Sequence, residues 1–404
     1  MRRGPIDDPP PLAVALDAEV IAERRVYRFL TYVFGGGVAP QQCDPITPVR
    51  AASIRGQLRF WWRAVNPSKC RTVDDLRKRE AEVFGSTSVR SRLVVAVTRQ
   101  PEAPKPVEVL EGDFKAKPGC EAVAYGAFPL RAKGGPHGRL HDFADGTFEV
   151  SLRYPAAVAD DVRAALWGWA HFGGLGARTR RGFGALAQES PGLPDIDTGW
   201  TEFVDEAAVP WPHLVTKPRH FESAGGTGRG ALDTLLEAMR SIRQLPNVGR
   251  NPGQERRPGR SRWPEPDAIR GLFRQFSRQH ATPITQIDVF PRARFGAPII
   301  FHFKDNKTGD PNDTTLLPLL RHGQPGERLA SPLVLRPYCR PDGVVEAMAV
   351  VLGHPAPHGW CVKQGTRVEP VTTTLTTPFQ VGTGAPFIDP IDRFFEQMTR
   401  TSKR

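Results

Sequence analysis

Three arginines recur every four residues between positions 47 and 65: Arg55, Arg59 and Arg63. On an α-helix this spacing places their side chains on one face. Because a guanidinium group binds phosphate through paired hydrogen bonds, this face could bind successive phosphates of one nucleic-acid strand, together with Arg50 and Ser53 near the start of the helix. The same spacing is also typical of a solvated helix surface, so that alternative stays open.

The other side of this segment is apolar. Its residues form a narrow stripe roughly 140° from the arginines; they are Ile54, Leu58, Trp61 and Val65. The hydroxyl and proline of Thr47-Pro48 predict that the helix begins there. We expect Trp61 and Trp62 in the core rather than as platforms on which bases stack.

A glycine-rich loop over residues 173–184 is the second segment whose composition indicates a binding role. Glycines permit positive φ and close approach of another chain, and exposed amides beside arginines predict an anion-binding cradle. The residues expected to contact a nucleic-acid strand are Gly173, Gly174, Gly176, Arg178, Thr179, Arg180, Arg181 and Gly182. The loop lacks the Gly-Lys-Ser/Thr of a P-loop. A flexible hairpin without a ligand is the alternative.

Few residues suggest catalysis. His171, just before the loop, stands where a general base for RNA cleavage could act, but no acid partner is evident and packing at the helix end is favoured. Asp44 is the best acid to test, although a turn or capping role is expected. Two histidine pairs have four-residue spacing but lie in Gly/Pro-rich sequence; they are His137 with His141 and His354 with His358. We therefore predict no catalytic residue, metal or cofactor.

Composition narrows the class of protein. The chain has 404 residues with 55 Lys plus Arg against 43 Asp plus Glu, a net charge of +12. This excess favours a polyanionic partner, most simply a nucleic acid. Apolar runs are too short for a membrane span. Five scattered cysteines without a CxxC motif indicate reduced thiols, and hence a cytoplasmic protein.

The order of predicted elements indicates an α+β fold. Strands at 25–33, 93–98, 148–154 and from 185 alternate with helices at 48–65, 73–84 and 160–172, which is the split βαβ pattern of a ferredoxin-like (RRM-like) domain. We expect a flexible tail over residues 1–22, a first domain over 23–190 and a second ferredoxin-like domain over 199–404. Long loop insertions are expected at 99–146 and at 245–266, the latter basic and mobile.

Together the two segments resemble the RAMP superfamily of CRISPR–Cas proteins. The residues Ser53 to Gly56 match its S-x-I/L-R/K-G motif, and 174–176 with 182–184 match its GxG, basic spacer, GxG loop. The longer stretch 47–63 is similar to one subunit of the type III-B (Cmr) effector complex. Residues 294–301 and 330–336 look like the C-terminal half of that subunit.

This resemblance implies a non-catalytic RNA-binding subunit of a ribonucleoprotein. Its partners would be a CRISPR guide RNA near its 3′ end, the target RNA, and neighbouring subunits, especially a backbone subunit. Two alternatives remain. One is a RAMP-type metal-independent endoribonuclease that processes guide RNA with His171. The other is a structural protein whose basic face contacts an acidic neighbour without touching RNA.

Overall fold

The computed structural model describes residues 19–402 except 38–41, 45, 113–114, 133–136, 144, 191, 206 and 255–257. Most of the expected N-terminal tail lies outside these described residues. In chain order the helices and strands are β1 Val20–Phe29, α1 Ala51–Val65, α2 Val73–Phe84, β2 Val94–Arg99, β3 Lys105–Val107, β4 Leu110–Glu111, β5 Lys115–Ala116, α3 Glu121–Gly126, β6 Leu140–Asp142, β7 Thr147–Pro155, α4 Ala159–Phe172, β8 Leu186–Ser190, α5 Ile196–Phe203, β9 His213–Leu214, β10 Arg219–Phe221, α6 Gly228–Gln244, α7 Glu265–Phe273, β11 Ile299–Phe301, β12 Thr314–Leu319, β13 Leu333–Cys339, β14 Val345–Gly353, β15 Gly359–Gln364, β16 Arg367–Val371 and α8 Pro390–Thr401.

The first sheet has the strand order β2-β7-β1-β8, and every neighbouring pair is antiparallel. Numbered by their place in a βαββαβ unit, these strands run 2-3-1-4, which is the order of a ferredoxin-like sheet. Helices α1 and α4 follow its first and third strands and pack against each other. The α+β, ferredoxin-like fold predicted from the sequence is confirmed.

The second sheet repeats this order with three strands. β10, β14 and β13 lie side by side as first, third and second strands, with α6 after the first and α8 after the third. In the described part of the chain, no strand pairs with the free edge of β10. The short strand β9 extends β10 along β14, pairing Leu214 with Leu352.

A third sheet, β11-β12-β15-β16, is inserted into the second half and packs with α7 around its own small core. The preceding basic stretch, 245–266, is folded where the structure describes it, so the expectation of mobility is wrong there. Trp263 is fully buried and its indole N–H donates to the carbonyl of Ile242 at 2.7 Å. Burial of so large a side chain fixes the stretch against α6.

The two halves share apolar side chains. Leu30 and Phe34, which follow β1, belong to the same buried cluster as Leu232 of α6 and Leu335 of β13. A single backbone bridge joins the glycine-rich loop to β13, where the amide of Leu335 donates to the carbonyl of Arg180 at 3.0 Å. The loop therefore lies between the two ferredoxin-like sheets.

Several predicted boundaries differ from the structure, among them the end of the first strand, which is Phe29 rather than residue 33. β1 begins at Val20, five residues before the predicted strand and inside the expected tail. α1 begins at Ala51 rather than after Thr47. The side chain of Gln100 explains the later start, because it accepts from the amide of Val49 at 3.1 Å and donates to its carbonyl at 2.8 Å.

The apolar stripe of α1 is buried as predicted. Ile54 and Leu58 are inaccessible, and Trp61 and Trp62 are about 2% exposed or less, which confirms a core role for both tryptophans. The five cysteines are free. None of the helices within the described residues has the length and apolarity needed to cross a membrane.

Candidate nucleic-acid interface

The arginine face of α1 is partly neutralised by one carboxylate. Glu80 of α2 accepts from Arg59 at 2.6 and 2.8 Å and from Arg63 at 2.6 Å. Both arginines keep about a third of their side chains exposed, whereas Glu80 is nearly buried. Arg55 is exposed, and no ion pair to it occurs among the described residues. The spacing predicted a ladder of three guanidinium groups. In the structure Arg55 has no ion-pair partner among the described residues, whereas Arg59 and Arg63 are both paired with Glu80.

Arg50 and Ser53 lie at the N-terminal end of α1. Arg50 is the residue before the helix, and its guanidinium donates to the carbonyl of Gly36. Ser53 is half-exposed in the first turn. Next to Arg55, Gly56 is exposed, and a Cβ added there would meet nothing within 4 Å. The outer side of this helix start is open to a second molecule.

The glycines of the loop are required by close packing. A Cβ at Gly174 would lie 2.6 Å from the carbonyl oxygen of Gly184, and one at Gly173 would lie 2.6 Å from the indole nitrogen of Trp61. Gly176 and Gly182 have φ of 83° and 84°, a region that side chains other than glycine rarely adopt. The glycines are therefore needed because this loop packs tightly between its neighbours.

Several loop amides donate hydrogen bonds to carbonyl groups of the protein itself. The amide of Leu175 donates to Gly184 at 2.9 Å, that of Gly184 to Tyr32 at 2.8 Å, and that of Ala177 to Phe34 at 2.7 Å. The amide of Gly182 closes a turn onto Thr179. The predicted cradle of exposed amides is wrong for these positions, because a loop packed between two sheets needs its amides for its own hydrogen bonds.

The loop arginines are half-buried and have different surroundings. Arg180 donates to the carbonyl of Ser331 at 2.7 Å and lies 5.1 Å above the ring of Phe60. Arg181 contacts the carbonyl of Phe295 at 3.5 Å. Burial lowers the pKa of Arg178 and of Arg180, while both remain cationic at neutral pH. Thr179, at the tip, is half-exposed.

The structure brings the two predicted segments together. Phe60 of α1 stacks under Arg180, and Trp61 contacts Gly173 at the other end of the loop. A Cβ added at Gly36, whose carbonyl accepts from Arg50, would lie 3.6 Å from the Cα of Gly176. Helix α1 and the loop thus pack against each other, although they are more than a hundred residues apart in sequence.

His171 has the packing role favoured from the sequence. Its Nδ1 hydrogen-bonds to the carbonyl of Trp167 at 2.9 Å and its ring packs against Tyr338. Burial lowers the pKa of His171 to about 4, which makes it a weak base at neutral pH. Asp44 accepts from the amides of Thr47 and Ile46, which lower its pKa; its expected turn role is confirmed.

A group that could hold a metal lies elsewhere, in the segments that follow α7 and β11. Ligand atoms of His280, Asp305 and Asp310 come within 4.8 Å of one another. Arg270 also reaches Asp310 at 3.0 Å. Burial would raise the pKa of Asp310, but hydrogen bonds from Arg270 and the amide of Ser277 outweigh it and lower the value to about 2. A guanidinium inside this network opposes a cation.

The sequence did not predict two residues that contact the helix and the loop, Glu80 and Arg336. Glu80 lies on another helix, and no spacing rule connects it with Arg59. Arg336 lies in the second half, yet its guanidinium donates to carbonyls at the end of α4 and in the loop. An arginine in an otherwise apolar strand, LVLRPYC, is the signal that could have identified it, because such a buried charge requires partners.

We expect Gly174→Ala to lower the free energy of unfolding by about 1–3 kcal/mol, the usual cost of an extra methyl group in a packed site. Chemical denaturation monitored by circular dichroism measures it. Gly56→Ala is the matched control; its methyl group meets open space in a helix, so we expect a gain of up to about 1 kcal/mol. Equal stability of Gly174→Ala and the parent would contradict the packing role of the loop glycines.

Comparison with known proteins agrees with the two motifs. Residues 26–187 match the model of the RAMP superfamily. The matched region runs from within β1 to the start of β8 and contains α1, the glycine-rich loop, β2 and β7. The resemblance to this superfamily, predicted from the sequence, is therefore confirmed over this part of the chain.

One relative makes the resemblance more specific. The chain is 34% identical over 141 residues to the CRISPR system Cmr subunit Cmr1-1 of Pyrococcus furiosus, a match that covers 34% of this chain and 40% of that protein.

Two solved structures are also similar. The crystal structure of Cmr1 from P. furiosus in its apo form has a TM-score of 0.46 at 17% identity, covering 84% of this chain and 89% of that one. A chain of the cryo-EM structure of the Type III-B Cmr-beta bound to cognate target RNA has a TM-score of 0.49 at 11% identity, covering 95% and 100%.

Proposed function

We propose that this protein is a non-catalytic, RNA-binding subunit of a cytoplasmic type III-B CRISPR effector complex. Its partners are the guide RNA near the 3′ end, the target RNA and neighbouring subunits, a backbone subunit above all. The proposed domains are residues 23–190 and 199–404, each built on one ferredoxin-like sheet. The similarity to a Cmr subunit supports the assembly, and the surface geometry supports RNA as the ligand.

The observation that carries the proposal is the continuity of α1 with the glycine-rich loop. Arg55 and Gly56 lie on an open helix surface, and Arg180 connects that helix to the loop through Phe60. Arginine binds phosphate without regard to base identity. A net charge of +12 further favours a polyanion over an acidic protein patch. Single-stranded RNA is the class of nucleic acid that we propose, because a flexible strand can follow a basic surface with its backbone.

The state of His171 supports the non-catalytic part of the proposal. A general base for RNA cleavage works best with a pKa near the working pH, whereas burial lowers the pKa of His171 to about 4. Its Nδ1 is also engaged with the carbonyl of Trp167. The RNA incubated with this protein should therefore remain intact.

We expect Arg55→Ala to weaken binding of labelled single-stranded RNA by roughly threefold to tenfold at low salt, equally for unrelated sequences. Loss of one phosphate contact should also reduce the slope of log affinity against log salt by about 0.7. Fluorescence anisotropy at several salt concentrations, with duplex DNA as competitor and a gel for RNA integrity, measures both effects.

Arg367→Ala is the matched control, because Arg367 is an exposed arginine of β16 that pairs with Glu369 and lies in the third sheet. It should leave RNA affinity unchanged. Unaltered binding by Arg55→Ala would show that the assigned surface is wrong.

Cleaved RNA would instead favour the nuclease alternative, to be checked with His171→Ala. Binding of a neighbouring subunit without RNA, alone or assembled, would favour the structural alternative.

A further inference from the structure

Four arginines lie near the phenol of Tyr125, where the loop meets the second half. Arg178 and Arg181 come from the loop, Arg243 from the last turn of α6 and Arg292 from the short helical turn Pro291–Phe295. Arg243 Nη1 contacts the Tyr125 hydroxyl at 3.4 Å. The other three lie within electrostatic range of the same phenol. Three separate regions of the chain thus direct guanidinium groups to one place.

Each arginine has a buried guanidinium nitrogen that no acceptor satisfies. These atoms are Nε of Arg178, Nη1 of Arg181, Nε of Arg243 and Nη2 of Arg292. A buried donor without an acceptor is costly, and more so when the group is charged. Four such atoms at one junction indicate an acceptor rich in oxygen that the protein itself does not supply.

The positive charge of the cluster is only partly compensated. Among the described residues, Glu265 is the carboxylate that pairs with it, accepting from the amide and Nε of Arg292 at 2.7 and 2.9 Å. Burial, and then repulsion from Arg243, lowers the pKa of Arg181 to about 10. The same repulsion adds to burial in lowering the pKa of Arg292. An anion would relieve this repulsion.

We propose that these four arginines form a phosphate-binding pocket. Guanidinium forks match the oxygens of a phosphate group and can engage it from several sides. The pocket is separate from the α1 surface, because Arg180 points instead to Phe60 and Ser331. If the phosphate belongs to RNA, the inference rests on the proposed function and extends it, giving the 99–146 insertion a role through Tyr125. Free phosphate offers the same chemistry.

The test uses the full-length protein and sodium phosphate, with sodium chloride at matched ionic strength as reference. Phosphate should raise the melting temperature above the chloride reference in differential scanning fluorimetry. Arg243→Gln and Arg178→Asn should each weaken phosphate binding at least about fivefold; asparagine tolerates the φ of 59° at position 178. Arg240→Gln is the matched control, since Arg240 is on the same helix and pairs with Glu237.

RNA affinities of the same variants identify the source of the phosphate. A fall of about threefold or more in Arg243→Gln, but not in Arg240→Gln, assigns the pocket to the RNA backbone. Lost phosphate binding with unchanged RNA affinity supports a pocket for free phosphate. No phosphate effect on the parent would overturn the pocket, even if RNA binds. If the parent protein binds phosphate but no RNA, the proposed function is overturned, whereas the phosphate pocket is still supported.

Discussion

Arg336→Met is expected to lower the free energy of unfolding by roughly 3 kcal/mol or more. Arg336 lies in β13 and is 1% exposed. Its guanidinium donates to Ala170 at 2.5 Å, to Leu186 at 2.6 Å and to Gly173. Without it, three buried carbonyls lose their donor, and each such loss costs about 1–3 kcal/mol.

The position of these carbonyls adds to the effect. Ala170 is in the last turn of α4 and Gly173 follows that helix, so both carbonyls are at the negative end of the helix dipole, where a cation is favourable. Burial lowers the pKa of Arg336 to about 9, which still leaves it charged at pH 7. One side chain of the second half thus terminates a helix of the first and fixes the start of the glycine-rich loop.

Urea denaturation followed by tryptophan fluorescence measures the change, because several tryptophans are buried near α4. Arg340→Met is the matched control: Arg340 follows the same strand but is half-exposed and pairs with Asp342 and Glu346. Surface pairs of this kind contribute little to stability, because solvent screens them. If the two variants unfolded at the same urea concentration, the connecting role of Arg336 would be refuted.

The elements of the first sheet could be predicted because their signals are local. The apolar stripe of α1 follows a period of 3.6 residues, and α2 begins and ends as predicted, with a capping box at Thr72 and glycine at position 85. The start of α1 could not be predicted in this way. Gln100, some fifty residues away, hydrogen-bonds to both the amide and the carbonyl of Val49, and no local sequence pattern predicts that contact.

The sequence predicts which candidate residues share a helix face, but it does not predict which of their charges and amides are free. Four-residue spacing places Arg59 and Arg63 on one face, yet it contains no information about Glu80 on another helix. Similarly, glycines in the loop are compatible with exposed amides or with tight packing, and only the contact between Gly174 and Gly184 distinguishes these cases. Partners across the fold decide which charges and amides remain free.

The pairing with Glu80 leads to a gain-of-binding prediction. Glu80→Gln should tighten single-stranded RNA binding about threefold to tenfold at low salt, because it releases Arg59 and Arg63 beside the exposed Arg55. If both released arginines contact phosphates, the slope of log affinity against log salt should steepen by up to about 1.4, roughly 0.7 for each contact. Stability should fall at the same time by about 1–2 kcal/mol, since two charge-assisted pairs are lost.

Asp74→Asn separates this effect from a general increase in positive charge. Asp74 lies on the same helix as Glu80, is 78% exposed and pairs only at the surface with Arg77, so its replacement makes the same charge change without releasing α1. Tighter binding confined to Glu80→Gln would mean that RNA and Glu80 compete for the same two guanidinium groups. Equal tightening by both variants would mean that RNA responds to the net charge of the protein and not to the α1 face. Weaker binding by Glu80→Gln would exclude Arg59 and Arg63 from the interface.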